Sequence, residues 1–245
     1  MPNSPITIRL LDSFMLTPVV KHFSFIIDDD MPFNYLPGQF VTIHFEKAGK
    51  LLKRSYSIAC APQKNNIIEF SASYVTDGPG TELLFTLQTN DTLQMTGPYG
   101  RLILHEADPQ RYILIATSTG ITPYRAMLPI LKERILNNPA LQVVILQGVQ
   151  KSSHILFKEE FNGLSRAYPQ FMFRAQLSRE TDAYVLQENE FIGHVQTAFN
   201  GIQPQPTQDL VYLCGNPAMI DDTFATLKHL GFSTSDIIRE KYISR

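Results

Sequence analysis

Residues 111–131 read RYILIATSTGITPYRAMLPIL: an apolar run of strand length, a turn of small residues, then a helical pattern. The turn encodes its own helix start. Thr122 has the hydroxyl of an N-cap, and Pro123, at the first helical position, lacks an N–H that would otherwise be orphaned. Amides at such a start, with the positive end of the helix dipole, suit a diphosphate, and Gly120 permits close backbone approach. A plain strand-to-helix connection would use the same letters, so the segment alone leaves both readings open. Pro129 should kink or shorten the helix because it removes one of its hydrogen bonds.

The same grammar recurs downstream. YILIAT leads to PYRAMLPILKERIL, LQVVILQG to ILFKEEFNGLSRAY, FMFRAQLS to a loop and HVQTAFNG, and LVYLCG to PAMIDDTFATLKHLG, before a last extended run, DIIREKYI. Strands alternating with helices imply a parallel sheet covered on both faces, with ligands bound beyond the carboxyl ends of the strands. Residues 117–122 and 214–216 fall at those ends. In the second turn Asn216 is the expected N-cap, Pro217 the first helical residue and Gly231 the C-terminal stop. Cys214 ends its strand either as a small buried hydrophobe or as a thiol within reach of a nicotinamide.

Upstream of HEADPQ the texture differs. Short, often alternating runs (ITIRLL, KHFSFII, QFVTIHFE, KRSYSIA, NIIEFSASYV, DTLQMTG) are punctuated by turns such as KAGK, APQKNN and GPYG. They predict an antiparallel barrel or sandwich with one helical interruption, GTELLFTLQ. Two domains are therefore expected, over residues 1–106 and 107–245.

Composition narrows the partners. With 245 residues and a net charge of -2, the chain lacks the positive field that nucleic acid demands, so none is expected. The apolar runs are strand-length, the N-terminus has no signal pattern, and a cytosolic protein that meets no membrane is expected. Two distant cysteines, Cys60 and Cys214, exclude a self-contained four-cysteine iron–sulfur or zinc site, and no metal is expected.

Two further motifs lie in the first half. KRSYSIA sets Arg54, Tyr56 and Ser57 on a strand: a planar fork for phosphate, a stacking ring and a small hydroxyl, together suited to an aromatic dinucleotide. An exposed face of a β-ribbon is the plainer reading. DGPGTELL opens the helix, where Gly80 and Thr81 could offer amides and a hydroxyl to a second anion.

In order, Arg54-Ser55-Tyr56-Ser57, Gly78-Pro79-Gly80-Thr81, TGPYG, STGITPYRAM, LSRE, CGNPAM and a terminal aromatic resemble the ferredoxin-NADP reductase family over essentially the whole chain. The resemblance implies a Greek-key FAD-binding barrel followed by an α/β NADP(H)-binding domain. It implies that Arg54 holds the pyrophosphate with Ser55 beside it, that Tyr56 stacks on the isoalloxazine, and that the Ser57 hydroxyl lies near the reactive flavin nitrogen. Gly80 and Thr81 match the second pyrophosphate contact, and Gly120, Thr122 and Pro123 the nicotinamide-nucleotide turn. Cys214 and Gly215 match the segment beside the hydride-transfer position. Tyr242 is then either a displaceable lid on the flavin or a packed edge residue. Ser57, Cys214 and Tyr242 form the expected catalytic set.

Two positions depart from the family pattern. Ser118 stands where the family turn has its first glycine, so the backbone must avoid positive φ there or accept strain. Gln150 stands where many relatives carry an arginine for the adenosine phosphate, which leaves Ser178 and Arg179 to select NADP over NAD, unless Arg179 pairs with Glu180 or Asp182. The implied activity is hydride exchange between FAD and NADP(H), with single electrons passed to or from ferredoxin or flavodoxin by a monomer. The alternatives are an NADH-dependent reductase component feeding an oxygenase or cytochrome, and a non-catalytic flavin-binding electron-transfer subunit. Lys47, Lys50, Lys53 and Arg54, with Arg239, Lys241 and Arg245, are expected to form a positive rim that steers the acidic carrier, or else to be ordinary solvated charges.

Overall fold

The structure, a computed structural model, describes residues 4–28, 32–63, 65–106, 109–181 and 183–242. The first half contains β1 (Ile6–Thr17), β2 (Val20–Ile27), β3 (Phe40–Lys47), β4 (Lys50–Ser57), β5 (Ile67–Ser73), α1 (Pro79–Thr86) and β6 (Thr92–Tyr99). The strands form an antiparallel sheet in the order β4-β3-β6-β1-β2-β5. An antiparallel bridge between Ile58, which follows β4, and Phe70 of β5 joins the two outer strands. The sheet thereby curls on itself as a barrel.

Alternation along these strands supplies the core. Inward positions include Ile8, Leu10, Phe23, Phe25, Val41, Ile43, Ile68, Phe70 and Met95, all essentially without solvent exposure. Phe70 is the hub: its ring centroid lies 5.6 Å from that of Phe23, 5.2 Å from Phe25 and 4.9 Å from Tyr56. A packed aromatic core therefore supports the strand that carries Tyr56.

The second half contains β7 (Arg111–Thr117), a 3-10 turn (Ser118–Ile121), α2 (Thr122–Asn137), β8 (Gln142–Val149), α3 (Lys158–Ala167), β9 (Phe171–Leu177), β10 (Glu190–Ile192), α4 (Phe199–Ile202), β11 (Asp209–Gly215), α5 (Pro217–His229) and β12 (Ile237–Lys241). All neighbours are parallel, in the order β10-β9-β8-β7-β11-β12. The expected parallel sheet thus gains one strand. β10 falls in the expected loop, since its three residues carry no apolar alternation; its pairing with β9 through Glu190 and Ala175 comes from the sheet edge. HVQTAFNG forms a 3-10 turn and the single helical turn of α4 rather than a full helix.

Strand order reverses between β7 and β11, which is where open α/β sheets bind ligands. At the amino ends of these strands Arg111 grips Asp209 through two bonds of 2.9 and 2.6 Å and donates to the Ile202 carbonyl at 3.0 Å. This bidentate pair fixes the register that brings Thr117 and Gly215 level at the other end.

The chain divides into two compact units, one of residues up to Leu104 with Thr122–Leu128, the other of His105–Ile121 with Pro129 onward. α2 is shared, and it is divided at Pro129, the residue expected to interrupt it. The helix nevertheless runs on to Asn137. No helix among the described residues is long and apolar enough to cross a membrane.

Candidate functional site

In the first unit, β4 presents Arg54 and Tyr56 as half-buried side chains, Ser55 as exposed and Ser57 as buried. Tyr56 stacks one face on Phe70 at an interplanar angle of 17°. Burial pushes its hydroxyl up to about 12, so the ring stays neutral. Gly80, in the first turn of α1, lies against both residues: a Cβ there would stand 2.8 Å from Arg54 Cγ and 3.2 Å from Tyr56 Oη. Only a glycine lets the helix start approach so closely.

α1 opens on Pro79 after Gly78, and Glu82 N–H already bonds to the Gly78 carbonyl. The Gly80 and Thr81 amides are first-turn donors of the kind a helix cannot satisfy itself. The Thr81 hydroxyl, by contrast, donates to Val75 O (3.1 Å) and Gly78 O (3.0 Å) and accepts from Val75 N–H (3.2 Å). The expected hydroxyl contact to an anion is therefore corrected: the hydroxyl builds the 75–78 turn, and Thr81 offers its amide. The Arg54 guanidinium donates from Nη1 to the Lys53 carbonyl at 2.8 Å, while its stem and the half-buried Tyr56 ring lie against this helix start. An arginine, two first-turn amides and an aromatic ring are groups that fit a diphosphate joined to a flat aromatic system.

In the second unit the two turns interlock. A Cβ on Gly120 would meet Cys214 O at 2.4 Å, and one on Gly215, at φ +119°, would meet Thr117 Oγ1 at 2.5 Å. The Thr117 hydroxyl accepts from Asn216 N–H at 2.8 Å. Asn216 caps α5 as expected, its side chain accepting from Ala218 N–H (2.8 Å) and Met219 N–H (3.3 Å).

The start of α2 differs from its sequence reading. The 3-10 turn delivers Ile121 already in helical geometry, at φ -71° and ψ -20°, so Ile121 takes the cap position and Thr122 is inside the helix. The Thr122 hydroxyl caps nothing. It is buried without a hydrogen-bond partner, as are both polar atoms of the Gln147 side chain, and among the described residues these are the buried side-chain polar atoms so placed. Pro123 follows at the second helical position, also buried. Ser118 adopts φ +48°, so serine accepts the left-handed geometry of the family glycine.

Gln147 and Glu240 belong to no recognisable motif, so the sequence alone does not mark them. Glu240, Cys214, Ala116, Gln147, Ala175 and Glu190 occupy one row across all six strands. Register neighbours share a face, so these side chains line one level of the sheet beneath its carboxyl edge. Cys214 is fully buried. Burial raises its thiol well above the ordinary range, Glu240 adds to the shift, and a hydrogen bond with the Tyr242 side chain opposes it. The thiol is a protonated contact group. Tyr242 is half-buried and donates its amide to Gly215 O at 2.8 Å, which holds it against the end of β11.

Beyond β9, the Ser178 hydroxyl donates to Val149 O at 3.2 Å. Arg179 is exposed, and among the described residues its guanidinium has no partner; Asp182 lies outside them. Glu180 instead accepts from Ser152 N–H (2.9 Å) and Thr181 N–H (3.2 Å). Of the basic residues expected to form a rim, Lys47 pairs with Glu82, Lys241 pairs with Asp221 at 2.6 Å, and the Arg239 guanidinium lies 3.9 Å from the Phe224 ring centroid. Lys50 and Lys53 are exposed, and Arg245 lies outside the described residues.

Comparison with known proteins agrees with this division of labour. Residues 7–103 match the oxidoreductase FAD-binding domain and residues 114–224 the oxidoreductase NAD-binding domain. Ferredoxin–NADP reductase B of Sorangium cellulosum is 28% identical over 219 residues, 88% of each chain. The phenol hydroxylase P5 protein of Acinetobacter pittii is 27% identical over 94% of this chain, which spans 63% of that protein. A ferredoxin NADP+ reductase from Neisseria gonorrhoeae, solved with bound FAD and NADP, has the same fold, with a TM-score of 0.81, 22% identity and coverage of 96% of this chain and 97% of that one.

Proposed function

Because the chain belongs to the ferredoxin-NADP reductase family of FAD- and NAD(P)-binding oxidoreductases, we propose that it exchanges a hydride with NADP(H) and single electrons with ferredoxin or flavodoxin. The observation that carries this reading is the close approach of the α1 start, at Gly80, to the stem of Arg54 and to the half-buried Tyr56 in the first unit. Bound FAD supplies a ring that takes up a hydride and gives back electrons one at a time. The protein's part is to grip and align.

In this reading Arg54 and the α1 amides neutralise the pyrophosphate, Ser55 flanks them, Tyr56 covers the ring, and Ser57 places a hydroxyl at its edge. The turn around Gly120, with Thr122 and Pro123 at the start of α2, receives the nucleotide, where Thr122 supplies an unspent hydroxyl. Cys214, Gly215 and Tyr242 border the nicotinamide. Ser178 and Arg179 meet the 2'-phosphate: a planar guanidinium, to which no carboxylate among the described residues is paired, is the partner such a group requires. The reading includes a monomer acting in the cytosol.

One position favours a second reading. Gln150, at the end of β8, is exposed and neutral, and donates no charge to a 2'-phosphate. An NADH-dependent reductase component serving an oxygenase would need none. Stopped-flow flavin reduction by NADPH and NADH, side by side, separates the two. A clear NADPH preference that is lost in Arg179→Ala supports the first; equal or faster reduction by NADH, unchanged by the substitution, supports the second.

A further inference from the structure

The first unit contains a polar cluster outside the candidate site described above. Arg125, one helical turn after Thr122 on the same face of α2, donates from Nη1 to Glu69 Oε2 at 2.6 Å and to the Ala59 carbonyl at 3.0 Å. Ala59 lies two residues beyond Ser57, and its own N–H bonds to the Glu69 carbonyl at 2.7 Å. One guanidinium thus ties the end of the flavin strand to the start of the helix that carries Thr122.

The cluster is built to hold its shape. Glu69 is also 3.4 Å from His22 Nε2, and His22 Nδ1 lies 2.9 Å from Ser71 Oγ. Next to Ala59 along the chain, the Cys60 carbonyl accepts from the Tyr35 hydroxyl at 3.1 Å, which also lies 3.3 Å from Cys60 Sγ. Pro129 cannot donate to the Arg125 carbonyl, so this turn of α2 depends less on its own ladder and more on its side-chain anchors. Met127 supplies a second anchor, its Cε within 2.7 Å of where a Cβ on Gly38 would stand.

We propose that Arg125 and Glu69 are positioning residues for hydride transfer, setting Ser57 and Thr122 relative to one another through the Ala59 carbonyl. The inference rests on the functional reading above. A hydride moves only between closely aligned atoms, so a small displacement of either segment slows transfer while leaving both cofactors bound. Neither residue needs to touch a cofactor.

The test uses the full chain loaded with FAD, and Arg125→Ala, Arg125→Lys and Glu69→Gln variants. Each is followed by flavin reduction at rising NADPH in single turnover, with the flavin spectrum and melting temperature as controls. For Arg125→Ala the limiting rate constant per bound flavin is expected to fall about 10- to 100-fold, with the NADPH dissociation constant changed less than about threefold. Arg125→Lys should recover part of the rate by restoring the contact to Glu69 alone. Glu69→Gln, which keeps the volume and the Ala59 bond, should lose less than Arg125→Ala, and it decides the matter if Arg125→Ala does not hold FAD. Limiting rates per flavin equal to wild type, with only melting temperature or FAD content reduced, would overturn the proposal and leave the functional reading standing. Wild-type protein that neither NADPH nor NADH reduces would overturn both.

Discussion

Ser118 shows how much one backbone angle asks of one side chain. A non-glycine residue at φ +48° carries a cost of about 1–2 kcal/mol, which glycine avoids. Glycine gives back part of that gain through its looser unfolded chain. Ser118→Gly should therefore leave stability level or raise it by up to about 1 kcal/mol and tighten NADPH binding, while Ser118→Val, β-branched at a left-handed position, should lower stability by more than about 1 kcal/mol. Thermal melts and NADPH titrations of the three proteins check this, and identical curves would show that the turn absorbs serine at no cost. The departure at Ser118 was legible from the missing glycine; the angle was not. Likewise the Thr122 hydroxyl looked like a cap from its letters, and only the helical geometry of Ile121 reassigned it.

At the scale of elements, the β7 and β11 turns behave as one object. A Cβ on Gly120 would run into backbone atoms of Cys214 and Gly215, which cannot swing aside as a flexible side chain could. Gly120→Ala is expected to force the two turns apart, weakening NADPH binding at least about tenfold through a displacement of the order that costs such factors. Because the proposed FAD donors lie in other elements, the flavin absorbance of Gly120→Ala should persist; joint loss of both ligands would contradict this separation. Asn216→Ala removes an acceptor serving two amides of α5 and should cost about 1 kcal/mol, read as a lower melting temperature. The Asn216 cap and the main strand runs were readable locally. β10 was not, because three residues pair with β9 only once the sheet offers them an edge.

For the whole molecule, Glu69 gives a pH signature. Hydrogen bonding from His22, against the cost of burial and with help from Arg125, holds its carboxyl down at about 2. A carboxylate whose pKa is depressed on folding stabilises the native state above its unfolded pKa, and that stability is lost as pH falls toward the folded value. Between about pH 5 and pH 2 the protein should therefore lose on the order of 3 kcal/mol through this group alone. Glu69→Gln is expected to flatten that acid limb in denaturant melts taken across the range. A slope identical to wild type would place the acid sensitivity elsewhere.

The antiparallel first half, the alternation of strands and helices in the second and the Asn216 cap were determined by the sequence itself, since alternation and capping residues act between near neighbours. The tertiary structure decided the rest. It set the row joining Glu240, Cys214 and Gln147, the Arg125–Glu69–Ala59 tie, and the turn of the Thr81 hydroxyl into its own loop. Each of these is a partnership between residues remote along the chain or a choice among competing acceptors. Strand register and packing settle such choices, and neither is written in any short stretch of sequence.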